Sequence, residues 1–289
     1  MHLGNVLSAL LSWLSARSQG GQWLLRIEDL DPQRSRREYA LQLMDDLRWL
    51  GLVWDGEPVW QSQRHHLYEE YCQRLQAQGL TYPCYCTRAD LLATQAPHES
   101  DGRVVYPGTC RPDGSYGGQH PAGFLCPAAL RLMVPDEDVS FTDVHYGLQT
   151  VNLARHVGDF IIRRRDGAWA YQLAVVVDDG LMGVTEVVRG RDLLLSSPQQ
   201  LYVARLLGFH APRFVHLPLL CNVQGQRLSK RDRSLDMEHL RQQYTAAEVI
   251  GTLAHMAGLI ATRRPVTPGE LMAAFSWNRV PSEDIVWQG

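Results

Sequence analysis

The chain has 289 residues, 45% of them apolar, and a net charge of −3. That length buries a sizeable core, as one large or two modest domains. The slight acidity excludes a general electrostatic attraction to nucleic acid. RNA contacts would fall to local arginines such as Arg163, Arg164 and Arg165, a triplet that reads slightly better as a solvated strand end.

The run from Val6 to Leu14 is too short to span a membrane. No basic residues precede it and no small-residue cleavage signal follows, so the reading is a cytoplasmic, non-membrane protein. Six cysteines in a chain of this length make no disulfide framework, and their clustering points to metal.

Met1 is followed at once by His2-Leu3-Gly4-Asn5, opening a helix with Leu7, Leu10, Leu11 and Leu14 at helical spacing and Gly20-Gly21 at its end. A histidine and a glycine at a helix N-terminus suit a phosphate. In an α/β nucleotide-binding fold such a turn follows a strand. Here it starts at residue 2, so the expectation is a core short of its first strand, through a late start or truncation. Residues 22–27 read as a buried strand delivering Glu28 and Asp29 at its carboxyl end, where ligands of open α/β sheets bind. Asp31, ahead of Pro32, reads as a helix cap. Helices follow through Tyr39, Leu43, Leu47 and Leu50, then from about Ser62 to Gln78, stopped by Gly79.

Cys84, Cys86 and Cys110 form a metal candidate. Three thiolates and one more ligand close a tetrahedral zinc site, and the spacing leaves the fourth open among Tyr106, Cys126, His98 and His120. Ligand type alone favours Cys126, since phenolate is unusual. After Gly117-Gly118, short apolar runs through Phe141 suggest strands of an insertion. Residues 159–162 and 169–177 read as core strands, the second with Tyr171 ahead of the run 174–177 and with Asp178-Asp179 at its end. Those two carboxylates read as ligands or as caps of a following helix. The strand at 184–188 ends in Arg189, which can fork a carboxylate or pair with Asp192.

Residues 216–219 read as a last strand, and 223–225 as the turn into Gln226-Arg227-Leu228-Ser229-Lys230-Arg231. Lys230 is the only lysine in the chain. Its ammonium is a mobile point charge, unlike the planar fork of arginine, and suits a phosphate whose geometry changes during reaction. Beyond it, helical periodicity runs through Leu240, Val249, Leu253 and Met256, and Pro265, Pro268 and Pro281 break up the end.

His2-Leu3-Gly4-Asn5 and the Ser229-Lys230 loop resemble the two signature motifs of class I aminoacyl-tRNA synthetases. Arg26-Ile27-Glu28-Asp29 with Asp31-Pro32, and the stretch 184–190, resemble the glutamyl branch. The resemblance spans nearly the whole chain and thins after about Arg233. It implies an α/β fold: a Rossmann-like parallel-sheet core in two halves, 1–80 and 156–225, around a zinc-containing insertion at 81–155. The lysine loop and a short helical tail occupy 226–289, with no anticodon-binding domain. The family's first strand, with an arginine and a serine that help hold glutamate, has no counterpart in this sequence. ATP with Mg2+ is implied at His2, Gly4, Asn5, Ser229 and Lys230, with His2 and Lys230 catalytic. L-glutamate is implied at Glu28, Tyr171 and Arg189. The family pattern selects Tyr106 as the fourth zinc ligand beside Cys84, Cys86 and Cys110. The implied product is glutamyl-adenylate. A monomer would then transfer glutamate to queuosine in the anticodon loop of tRNA(Asp), as short members of this branch do. The alternatives are a truncated glutamyl-tRNA synthetase and a non-catalytic RNA-binding relic.

Overall fold

Leu3, Val6, Leu7, Leu10, Leu11 and Leu14 wind onto one side of helix α1 (Leu3–Ser18) and are all buried, so the helix forms where its apolar stripe meets the core. The computed structural model describes residues 1–31, 33, 35–87, 105–114, 127–226 and 236–287. After α1 the chain enters β1 (Arg26–Ile27), crosses through α2 (Arg37–Trp49) and returns parallel to β1 as β2 (Val59–Trp60). Regular pairing is thus confined to the end of the strand expected over 22–27. Asp31 does not cap α2. Its carboxylate accepts from the Gln33 N–H at 3.1 Å, and Arg36 holds the N-cap position. Helix α3 (His65–Ala77) stops at Gly79, whose φ of 69° lies where glycine is favoured.

β3 (Thr81–Cys84) pairs antiparallel with β4 (Ala129–Leu132). The hairpin of β5 (Asp138–Asp143) and β6 (Gly147–Asn152) then leads through the single-turn α4 (Leu153–His156) to β7 (Phe160–Arg163), which joins β4. The strand read at 159–162 therefore pairs within the sheet of the cysteine-bearing segment.

The strand expected through 169–177 is corrected by the structure. Residues 174–177 belong to helix α5 (Tyr171–Met182), which starts from extended Ala170 and ends at Gly183 with φ 66°. Leu173 through Asp179 are all buried, so no polar face betrays the 3.6-residue period. A fully buried apolar run reads alike as strand or helix. Asp178 and Asp179 accordingly sit on a helix, not at a strand end.

β8 (Glu186–Gly190) and β9 (Arg213–Leu217) form a second parallel pair, connected through α6 (Ser197–Leu207). β10 (Leu220–Cys221) follows directly. The tail holds α7 (Met237–Gln243), α8 (Ala246–Met256), the short α9 (Pro268–Leu271) and β11 (Ile285–Val286). Pro268 opens a helix instead of breaking one, in a first-turn position that needs no N–H, with Thr267 and Glu270 capping it reciprocally. β11 runs parallel to β10, so the tail also adds a strand. Leu253, Leu271, Val280 and Ile285 join Leu3–Leu14 in the larger hydrophobic cluster. A second cluster unites α3, α5 and α6 through Tyr68, Leu75, Val175 and Val203. No helix among the described residues is long and apolar enough to cross a membrane.

Candidate active site

The first turn of α1 carries no acidic residue, which leaves its N–H end compatible with an anion. Asn5 Oδ1 accepts from the His2 N–H at 3.4 Å. A Cβ on Gly4 would lie 3.1 Å from the His2 ring and 3.7 Å from Leu220. Glycine therefore lets the imidazole fold back over the helix start while β10 passes beside it. Ser229 and Lys230 lie outside the described residues. The chain carrying them departs after β10, beside Gly4, and returns at Asp236, which bridges His2. The next N–H, of Met237, donates to the Met1 carbonyl at 2.9 Å. Both flanks of the lysine loop thus meet the N-terminal turn.

Between the two parallel pairs runs a trough of about 790 Å³, lined by Ser8, Ser12 and Ala16 of α1, by residues 21–26 and by β8. Its acidic end is formed by Glu28 and Asp179 around Arg26. Arg26 donates to Asp179 Oδ1 at 2.7 Å and to Glu28 Oε1 at 3.4 Å. Burial raises both carboxyls above their ordinary values, opposed by the Arg26 charge. The Glu28 side chain keeps 43% exposure and lines the trough. Asp178 is turned inward and spent on structure, accepting from Gln61, Arg64 and Tyr68 at 2.8, 2.6 and 2.8 Å.

Tyr171 opens α5 and Arg189 lies near the end of β8, and the structure brings them together, with Arg189 Nη1 3.5 Å from Tyr171 Oη. Arg189 is buried and its N–H groups go to neutral acceptors. Nε donates to His216 Nε2 at 3.0 Å; Nη1 donates to Gln200 Oε1 at 2.8 Å; Nη2 donates to Ser197 Oγ at 2.8 Å and to the Leu193 carbonyl at 3.4 Å. Asp192 is not among its partners. Burial lowers the Arg189 pKa, opposed by Tyr171 and by the fields of Asp179 and Glu28, although guanidinium remains charged throughout the neutral range. Burial also raises the Tyr171 phenol, reinforced by Glu28, so it stays a neutral hydrogen-bonding group at pH 7. His216, Ser197 and Gln200 were not singled out from sequence as site residues, and Arg26 entered only as the first residue of a motif.

The cysteine cluster closes as its spacing suggests. The three Sγ atoms of Cys84, Cys86 and Cys110 lie within 4.8 Å of one another. Tyr106 Oη stands 3.5 Å from Cys84 Sγ and 3.8 Å from Cys86 Sγ, and Cys86 and Cys110 are 3.5 Å apart. A zinc–sulfur bond of about 2.3 Å in a tetrahedron demands ligand–ligand edges of about 3.8 Å, so these residues fit such an ion. Cys126, His98 and His120 fall outside the described residues. Burial works against a Cys84 thiolate, but Arg131 Nε, donating to its sulfur at 3.1 Å, brings the net pKa below normal. Burial and the Cys110 contact push Cys86 up to about 12 in the absence of metal. The arginine triplet sits at the end of β7, where Arg163 and Arg164 keep about half-exposed side chains, as a solvated strand end would, and only Arg165 turns inward. Arg163 pairs with Glu69, Arg164 with Asp166, and Arg165 donates to the Tyr85 carbonyl at 2.6 Å, beside the cluster.

Parallel strand pairs linked through helices, a helix start free of acidic residues, and a buried arginine beside mixed charges make up an α/β core. The chain belongs to the family described as tRNA synthetases class I (E and Q), catalytic domain, which matches residues 1–281. It is 46% identical over 300 residues to the Glutamyl-Q tRNA(Asp) synthetase of Symbiobacterium thermophilum, covering 99% of this chain and 91% of that protein. Its identity to the enzyme of the same name from Thiobacillus denitrificans is 43% over 287 residues, covering 99% and 87%. Among solved structures, a glutamate tRNA ligase from Elizabethkingia meningosepticum in complex with its amino acid superposes with a TM-score of 0.82 at 27% identity. The glutamate-tRNA synthetase of Elizabethkingia anophelis gives 0.83 at 26%. All of this chain is covered in both, but only 64% and 66% of those longer chains.

Proposed function

We propose that the chain activates L-glutamate with ATP and esterifies it to queuosine in the anticodon loop of tRNA(Asp). The observation that carries the substrate half is Arg189, a buried cation whose partners among the described residues include no carboxylate. A buried guanidinium with no carboxylate in direct contact leaves its fork open to an incoming anion. A glutamate carboxylate would replace its two longest bonds, to Tyr171 and Leu193, and the ammonium would turn to Glu28.

The α-carboxylate attacks the α-phosphorus in line, a P–O bond forms, and pyrophosphate leaves with the electron pair of the broken bond. His2 and the N–H groups of α1 donate to the phosphates, Asn5 holds the turn, and Gly4 leaves room for the imidazole and the nucleotide. Ser229 and Lys230 close on the phosphates from the loop, where charge grows in the transition state. Mg2+, when bound with ATP, would neutralise phosphate charge. A queuosine hydroxyl then attacks the mixed-anhydride carbonyl, AMP departs, and an ester remains.

One structural zinc held by Cys84, Cys86, Tyr106 and Cys110 would order the segment that Arg165 touches. The support for the acceptor is the sequence match to the two relatives named above. A single chain carries all the groups invoked, so the reading needs only a monomer.

The test has two arms. Glutamate-dependent ATP–pyrophosphate exchange should proceed without tRNA. Labelled glutamate should then appear on queuosine-containing tRNA(Asp), survive trimming of the acceptor end, and be released by mild alkali. Label lost with that end, or equal on tRNA(Asp) lacking queuosine, would refute the proposal.

A further inference from the structure

Behind Arg189 stands a chain of buried polar groups that no sequence motif announced. His216 and Asp143 both have fully buried side chains, with Nδ1 of the imidazole 2.6 Å from Asp143 Oδ2. The other carboxylate oxygen accepts from the backbone N–H groups of His145 and Tyr146 at 3.0 and 2.9 Å, which pins it in the turn between β5 and β6. On the far side of the ring, Nε2 accepts from Arg189 Nε at 3.0 Å, with Ser197 Oγ 3.3 Å away. Only one tautomer satisfies both ends. Nδ1 must carry the proton to meet a carboxylate, and Nε2 must present its lone pair to a guanidinium N–H.

We infer that Asp143 and His216 are positioning residues for Arg189, with Asp143 its counter-ion at one remove. The inference rests on the reading of Arg189 as the group that holds glutamate. The arrangement answers a specific difficulty. A carboxylate in direct contact would neutralise the buried arginine but occupy the fork that the substrate needs. A neutral imidazole placed between them passes the hydrogen bond on, lets the anion lower the energy of the cation, and takes up only Nε. Nη1 and Nη2 then point to Tyr171 and Leu193, the two longest contacts and the ones an incoming carboxylate displaces. Phe214 adds a wall, with the guanidinium 4.9 Å from its ring centre.

The isosteric Asp143→Asn variant is the sharpest probe. Its amide keeps an oxygen for the His145 and Tyr146 N–H groups and turns an NH2 toward Nδ1, at the cost of the acceptor that the His216 backbone N–H uses at 3.1 Å. The ring must then move its proton to Nε2, which sets donor against donor at Arg189. Glutamate KM in ATP–pyrophosphate exchange should rise roughly tenfold to a hundredfold, the range for a hydrogen bond to a charged group. The KM for ATP should stay within about twofold. Nitrogen-15 NMR of the imidazole should show the Nδ1–H form in the parent and the Nε2–H form in the variant, a readout that loss of fold does not produce. His216→Gln, whose amide oxygen reaches the Nε2 position, should recover most of the glutamate affinity that His216→Leu loses. A parent ring protonated at Nε2 overturns the inference. So does an unmoved glutamate KM in Asp143→Asn when Arg189→Ala raises it. If Arg189→Ala itself leaves that KM unchanged, the assignment of Arg189 to glutamate fails first and takes the inference with it.

Discussion

Tyr106→Phe removes one oxygen and asks whether the phenol completes the metal tetrahedron. In the structure that oxygen sits 3.5 Å from Cys84 Sγ and 3.8 Å from Cys86 Sγ and accepts the Cys110 N–H at 2.7 Å. Deleting it forfeits a neutral hydrogen bond, about 1 kcal/mol. If it is also a ligand, water must take the fourth position. Outer partners of metal sites already change affinity by about 10–100-fold, so losing a direct ligand should weaken zinc by at least ~100-fold, about 2.7 kcal/mol. The ring itself stays packed, because Arg131 lies over it with its guanidinium carbon 3.6 Å from the centroid. Damage should stay local, since Tyr82, Cys84, Tyr106 and Cys110 form a small cluster apart from the two large ones. Competition with a chromogenic chelator measures the affinity, and hydrogen exchange follows residues 81–86 and 105–114. A phenylalanine variant that keeps zinc within about twofold of the parent, at 1.4 kcal/mol per decade, would show that Tyr106 only packs and that another residue closes the site.

Three further outcomes are expected. Gly180→Ala places a methyl 2.3 Å from the Phe209 ring, so thermal unfolding should show a loss of about 1–3 kcal/mol; a wild-type melting temperature would contradict the packing of α5 on that ring. Lys230→Ala should slow adenylate formation by roughly 10²–10³ with little change in glutamate binding, and Lys230→Arg should fall short of the parent; equal rates for the arginine variant would mean that charge alone suffices. Asp284 bonds Arg191 Nε and the Leu219 N–H at 2.7 and 2.9 Å, and Arg191 holds its pKa below the ordinary value. A depressed folded pKa stabilises fully above the unfolded value of about 3.9 and is lost as pH falls through the folded one. The stability gap between parent and Asp284→Asn in urea titrations should therefore be full at pH 7 and shrink below about pH 4; a gap constant with pH would refute the pairing.

What could be read from sequence was what local spacing encodes. The leucines of α1 repeat at helical intervals, Gly79 ends α3, and the close pair Cys84 and Cys86 meets Cys110, whereas Tyr106 beside them came from the family pattern and not from spacing. Residues 174–177 were misread because periodicity needs a wet face and α5 has none over that stretch. β10 and β11, two residues each, exist only through pairing across some sixty positions of chain, and such short strands carry no pattern of their own. The same holds for Arg189, His216 and Asp143. Each is an ordinary strand residue in sequence, and the line they form depends on β8, β9 and the β5–β6 turn meeting in space. That Tyr171 and Arg189 lie together was implied by motif resemblance, which transmits three-dimensional proximity that a single sequence does not show.

The packing of the tail against α1 has a consequence for how the protein is made. Helix α1 is synthesised well before Leu271, Val280 and Ile285, which complete the cluster around its buried leucines. At typical translation speeds of about 5–20 residues per second, the apolar face of α1 waits on the order of tens of seconds for those residues to emerge. Contacts between such distant stretches also fold slowly, since a long loop must close before they form. During that interval the nascent chain gives the helix only the part of its cover that earlier residues such as Leu47, Leu50 and Leu52 supply. It is therefore a natural client for chaperones at the ribosome, and a slowed or stalled synthesis would leave its aggregation-prone surface at the N-terminal end.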